Sequence, residues 1–206
     1  MSDLQNELKN IDTKLNQKIV ELLVWASSRD CDWNKFDAVL KGDEEFGELA
    51  EAVLVSTGRI KHKTLEEKST GEIADNINQL IDVVSYNKNF IQEIDYLIKN
   101  QSSFYLRLKY AFNEFKDVDF KALAIQKLIN YKNFKDFLIE NEVLNDIIRF
   151  EDCIKYLAEI NFILYLVEND IKKEEVNDEI MLTSLTELFD KLEAKSNKWK
   201  RINSNL

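Results

Sequence analysis

The sequence predicts an all-α protein, a multi-helix bundle. Proline is absent and glycine occurs four times in 206 residues, where average usage gives about ten prolines and about fourteen glycines. Apolar residues recur at helical spacing along most of the chain. Hydrophobic residues make up 45% and charged residues 32%, the balance of a folded chain long enough to bury a core without disulfides.

Leu4, Leu8, Ile11, Leu15, Ile19, Leu22 and Leu23 place a first helix that ends near Ser28. Arg29 to Phe36 reads as a polar connection holding Trp33. A second helix is expected from about Asp37 to Ser56, with Phe46, Leu49, Ala50, Val53 and Leu54 inward and Gly58 as its C-terminal cap. Residues 57–66 form a loop carrying Arg59, Lys61, His62 and Lys63, and a third helix starts near Leu65 or Thr70 and reaches Tyr86. Its apolar face is Ile73, Ile77, Leu80, Ile81 and Val84, flanked by a polar stripe of Glu72, Asp75, Gln79 and Asp82. Further amphipathic helices are expected at about 89–99, 102–115, 119–130, 133–139, 142–168 and 178–200. Residues 1–90 read as a helical core and 91–206 as an extension packed on it. No low-complexity linker separates them, so one continuous domain is the alternative. Phe150 to Val167, with Glu151, Asp152 and Glu159, faintly echoes residues 71–86.

The net charge of −10 argues against a nucleic-acid binder, because phosphate backbones are repelled. No apolar run reaches the about eighteen residues of a membrane span, and no signal-peptide pattern is read. Cys31 and Cys153 make no metal or redox motif, which fits a reducing, cytoplasmic setting. The Lys, Asn and Ile content fits an AT-rich bacterial or phage genome.

Chemistry concentrates in two short acidic motifs, Glu44-Glu45-Phe46-Gly47-Glu48-Leu49 and Gly71-Glu72-Ile73-Ala74-Asp75. Glu45 with Glu48, and Glu72 with Asp75, are three residues apart, so each pair stacks on one helix face. Like charges so placed repel unless a cation lies between them. Two such helices face to face would set four oxygen ligands around a divalent metal, which reads as a magnesium site, with Mn²⁺ as a possible substitute, and magnesium recruits phosphates. All four glycines fall in the stretch that holds these motifs, so backbone freedom gathers there.

Glu-x-x-Glu, 23 residues, then Glu-x-x-Asp resembles the signature of the all-α nucleoside triphosphate pyrophosphohydrolases, the superfamily of MazG-like proteins, dCTP pyrophosphatases and dimeric dUTPases. Arg29-Asp30, Trp33, Phe36 and the run from Glu44 to Glu51 are also similar, and the resemblance covers about residues 15–90. It implies a MazG-like four-helix core. It implies that Glu45, Glu48, Glu72 and Asp75 hold magnesium, with Glu44 helping to hold a metal or orient the attacking water, so that Glu44, Glu45 and Glu48 form the catalytic set. Attack between the α- and β-phosphates would release a nucleoside monophosphate and pyrophosphate. A pyrimidine deoxynucleotide such as dUTP or dCTP is the favoured substrate, and a homo-oligomer, a dimer first, the favoured assembly. Trp33 is a candidate to stack on the base, or else a core tryptophan. Lys61 and Lys63 are candidates to reach phosphates, or else a solvated loop. Asn76 and Gln79 stand near the place where dCTP-hydrolysing members carry a tyrosine-asparagine pair. The basic tail from Lys191 through Lys195 to Arg201 resembles one that reaches the phosphates in some members; its other reading is positive charge at a helix C-terminus. His62, the single histidine, is expected exposed, and Asp82 either supports the site or is solvated. A helical binding or regulatory module that keeps the fold without turnover is the alternative function.

Overall fold

The computed structural model describes residues 3–29, 34–65, 68–86, 94–99, 103–115, 117–140 and 147–203. The described residues are helical throughout, with short connections and no strand: α1 (Asp3–Ser28), α2 (Lys35–Ser56), α3 (Ser69–Ser85), α4 (Ile94–Lys99), α5 (Phe104–Phe115), α6 (Phe120–Glu140), α7 (Ile147–Glu168), a 3-10 turn (Lys173–Glu175) and α8 (Asp178–Asn203).

Local chemistry sets the ends of α2. It begins two residues before the expected Asp37 because Asn34 caps it. The Asn34 Oδ1 accepts from the backbone N–H of Phe36 at 2.8 Å and of Asp37 at 3.2 Å, while the Asp37 carboxylate accepts from the Asn34 N–H at 2.9 Å. This reciprocal box satisfies donors that a helix start leaves open. At the other end Gly58 adopts φ +74°, which a side chain disfavours. That turn aims the Gly58 N–H at the Val55 carbonyl at 2.9 Å and the Arg59 N–H at the Leu54 carbonyl at 2.8 Å, the paired bonds of a Schellman end. The expected cap is therefore where the sequence places it.

α3 is the axis of the molecule. Ile73, Ala74, Ile77, Leu80, Ile81 and Val84 are all buried, and α1, α2, α7 and α8 pack around it. Such burial on all sides requires its polar residues to find partners. The Asn76 amide donates to the carbonyls of Glu45 and Glu72, Asn78 accepts from the Ser196 hydroxyl at 3.1 Å, and Asp82 pairs with Arg29. Ser56 meets Ser69 and Glu45 meets Asn76, so α2 and α3 run antiparallel. α6 and α7 form a second antiparallel pair, with Lys127 against Glu159 and Phe134 against Tyr156. α8 lies parallel to α1 and α3, with Lys195 near Asp75 and Trp199 packed on Trp25 at 4.7 Å between ring centroids.

One expected break is absent. The anticipated break between 130 and 133 does not occur, because Tyr131 is buried against Phe46 and carries α6 straight through. The start anticipated near 89 for the fourth helix, and residues 142–146 of the seventh, lie outside the described residues. One continuous buried cluster draws side chains from both the first 90 residues and the rest of the chain. No helix among the described residues is long and apolar enough to cross a membrane.

Candidate metal centre

The acidic motifs meet. Glu45 from α2 and Glu72 and Asp75 from α3 each offer a carboxylate oxygen within 4.8 Å of the others, the metal-compatible grouping found among the described residues. The spacing follows from helix geometry. Glu72 and Asp75 stack one turn apart, and Asn76, one residue further, pins the Glu45 backbone to α3 at 2.8 Å while bonding the Glu72 carbonyl at 3.0 Å. Asn76 is 2% exposed. It is a strut between the two helices rather than a group facing open space.

Glu48 stands at the exposed edge of this group. Partial burial raises its pKa above the ordinary carboxylate value, repulsion from Glu45 adds to the rise, and Lys41 offsets part of it. Glu48 and Glu72 open onto a cleft of about 830 Å³. Glu51 continues the acidic wall, and His62, Lys63 and Thr64 from the α2–α3 connection complete the lining. The cleft is large enough for a small polar ligand, and its walls are mostly charged.

Two lysines answer the carboxylates. Lys41 lies 2.9 Å from both Glu44 and Glu45. Burial acts to lower its pKa, but the hydrogen bonds to Glu44 and Glu45 outweigh burial and hold it above the ordinary lysine value. Lys195, from α8, donates to Asp75 at 2.6 Å. Like-charged neighbours are thus partly balanced by cations from two different elements. Lys41 stands three and four positions before Glu44 and Glu45, the spacing of neighbours on one helix face; Lys195 belongs to the basic tail of the sequence.

The remaining expected residues separate. Glu44 is exposed and bound to Lys41. Lys63 is exposed, in the cleft wall, and paired with Glu51 at 2.7 Å; Lys61 is exposed and His62 is exposed in the cleft wall. Gln79 faces a different, small crevice beside Tyr131 and Lys135. Trp33 lies outside the described residues. Asp82 is not solvated: it is 1% exposed and paired with Arg29, whose guanidinium also lies over the Trp25 and Trp199 rings.

The donor set fits a hard divalent cation. It contains only carboxylate oxygens, with no imidazole or thiolate, the preference of magnesium or manganese rather than zinc. Opposite ligands on magnesium lie about 4.2 Å apart, so the 4.8 Å spread needs only small side-chain adjustments. No protein-family profile matches this chain, and no curated protein or solved structure matches it.

Proposed function

We propose that this chain is a Mg²⁺-dependent nucleoside triphosphate pyrophosphohydrolase. The observation that carries the reading is the convergence of Glu45, Glu72 and Asp75 within 4.8 Å, from two packed helices, at the edge of an 830 Å³ cleft. Glu45, Glu72 and Asp75, with Glu48 at the rim, are the ligands. Magnesium held there would neutralise the triphosphate and lower the pKa of a bound water.

The chain's own residues account for the rest. The bare cleft repels a polyphosphate, because its carboxylates outnumber its lysines; a loaded cleft attracts one. Lys41 and Lys195 lie on Glu45 and Asp75, and each would turn from carboxylate to phosphate oxygen when the triphosphate binds. Asn76 keeps the two ligand-bearing helices in register, which matters because a site loosened by about an ångström loses much of its rate. Glu44, exposed and paired with Lys41, would orient an attacking water. The pyrimidine deoxynucleotide preference, dUTP or dCTP, rests on the motif resemblance. A homodimer belongs to the same proposal. Its support is Phe36 and Leu40, one turn apart on α2 and 77% and 69% exposed.

Pyrophosphate release from a panel of deoxynucleoside triphosphates with Mg²⁺ tests the reading, comparing wild type with Glu48→Ala and Asp75→Ala. Wild-type turnover lost in both variants is expected. Turnover surviving both substitutions discards the metal assignment, and nucleotide binding without turnover in the wild type selects the binding-module alternative.

A further inference from the structure

Three helix ends converge at the two ends of the α2–α3 connection: the last residue of α2, Ser56; the first of α3, Ser69; and the last of α7, Glu168. The Glu168 Oε1 accepts from the Ser56 hydroxyl at 2.7 Å and from the Ser69 hydroxyl, and the two hydroxyls are 3.1 Å apart. Ser69 is 1% exposed. Ser56 and Ser69 bracket the connection that supplies His62, Lys63 and Thr64 to the cleft wall. A single carboxylate from the extension therefore holds both ends of the segment that lines the cleft together with the acidic ligands. Hydrogen bonds to an ionised acceptor are stronger than neutral ones, and the negative charge lies at the start of α3, where a helix favours it.

We propose that Glu168 is a positioning residue that clamps the α2–α3 connection at both ends and so fixes that part of the cleft lining relative to the metal ligands. This assigns the extension a part in the site beyond Lys195. The clamp itself is a structural claim; only its effect on substrate rests on the pyrophosphohydrolase reading. With both ends held, Lys63 keeps a fixed distance from Glu48 and Glu72. With the clamp released, the wall opens more often while the carboxylates, anchored by Asn76, stay in place.

Limited trypsin digestion and steady-state kinetics of the full chain test this. Arg59, Lys61 and Lys63 are tryptic sites within the connection. In Glu168→Ala, cleavage there is expected to accelerate roughly tenfold or more, because local opening loses its charged hydrogen bonds. KM for the triphosphate is expected to rise about fivefold with kcat within about twofold, since substrate positioning and not the chemical groups is disturbed. Glu168→Gln, which still accepts from a hydroxyl, should recover part of both effects. The double variant Ser56→Ala/Ser69→Ala leaves Glu168 intact, should reproduce the fast cleavage, and decides the matter if Glu168→Ala fails to fold. Unchanged cleavage in a folded clamp variant overturns the proposal. The digestion result stands whether or not the wild type hydrolyses nucleotides, so the two readings fail separately.

Discussion

The acidic cluster of α2 and α3 and the charged cluster of α5, α6 and α7 are built from the same residue types with opposite balance. In the first, Glu45, Glu48, Glu72 and Asp75 face two lysines, and an open cleft lies alongside. In the second, one carboxylate, Glu159, is 1% exposed and accepts from both Arg107 and Lys127. Lys127 also sits over the Phe115 ring at 4.4 Å and the Tyr156 ring at 5.4 Å. A carboxylate surplus beside solvent raises carboxyl pKa values through mutual repulsion and gains from any added cation. A buried carboxylate already outnumbered by cations requires nothing more, and its neighbours are apolar rings. The count of carboxylates against cations, together with access to solvent, is what distinguishes the two clusters. Glu159, which lies in the segment that echoes residues 71–86, therefore has no vacancy for a metal.

Substitution should divide the two clusters most sharply through metal dependence. Asp75→Asn removes a ligand while keeping shape; pyrophosphate release is expected to fall roughly 100-fold or more, by analogy with the losses seen when metal-site residues are altered, and the rise in Tm on adding Mg²⁺ should shrink with it. Turnover within a few-fold of wild type would break the assignment. Glu159→Ala should do the reverse. It leaves a buried lysine and an arginine uncompensated, a loss of about 3–5 kcal/mol, or a Tm drop on the order of 10 °C for a chain of this size. The Mg²⁺-induced rise should persist in full. Asn76→Ala stands between them, because it cuts the strut without touching a ligand. A loss of about 1–3 kcal/mol from the two lost amide hydrogen bonds should come with roughly tenfold weaker Mg²⁺ binding, measured by calorimetry. Unchanged metal affinity would show that helix packing alone aligns Glu45 with Glu72.

Much of this was legible in the chain. The Glu-x-x-Glu and Glu-x-x-Asp spacings fix a helix face from local geometry alone, and Gly58 marks its turn because a positive φ selects glycine. The contacts that complete the site were legible only in part: the basic tail that carries Lys195 could be named from the sequence, its carboxylate partner could not. Lys195 is 120 residues from Asp75 and Glu168 is 99 from Ser69, and periodicity carries no information about which distant helix lies alongside. The break expected between 130 and 133 fails for the same reason: Tyr131 is held in the helix by burial against Phe46 on another element. Asp82 reads as a member of the polar stripe and lies on the correct side of α3, but its partner Arg29 precedes α2 in the chain, so its burial follows only from the packed fold.

The smallest effect concerns Glu48, and its sign comes from linkage. Burial and the nearby Glu45 charge raise its folded-state pKa. A carboxyl whose pKa is raised on folding contributes stability below its unfolded value, and that contribution is lost as the pH climbs through the raised folded value. At neutral pH the ionised side chain is therefore a net liability to the metal-free fold. Glu48→Gln should raise the metal-free Tm at pH 7.5 by a few degrees or less, with little change at pH 4, where the carboxyl is already largely protonated. With Mg²⁺ the order should reverse, because the wild type regains through ligation what repulsion removed, and the glutamine is a weaker donor to a hard cation. The crossing of the two Tm orders between metal-free and Mg²⁺-loaded protein at pH 7.5 is the signature of a carboxylate held near its neighbours for a cation. A variant that is less stable in both states would instead place Glu48 among ordinary favourable surface charges, and would shift the ligand set onto Glu45, Glu72 and Asp75 alone.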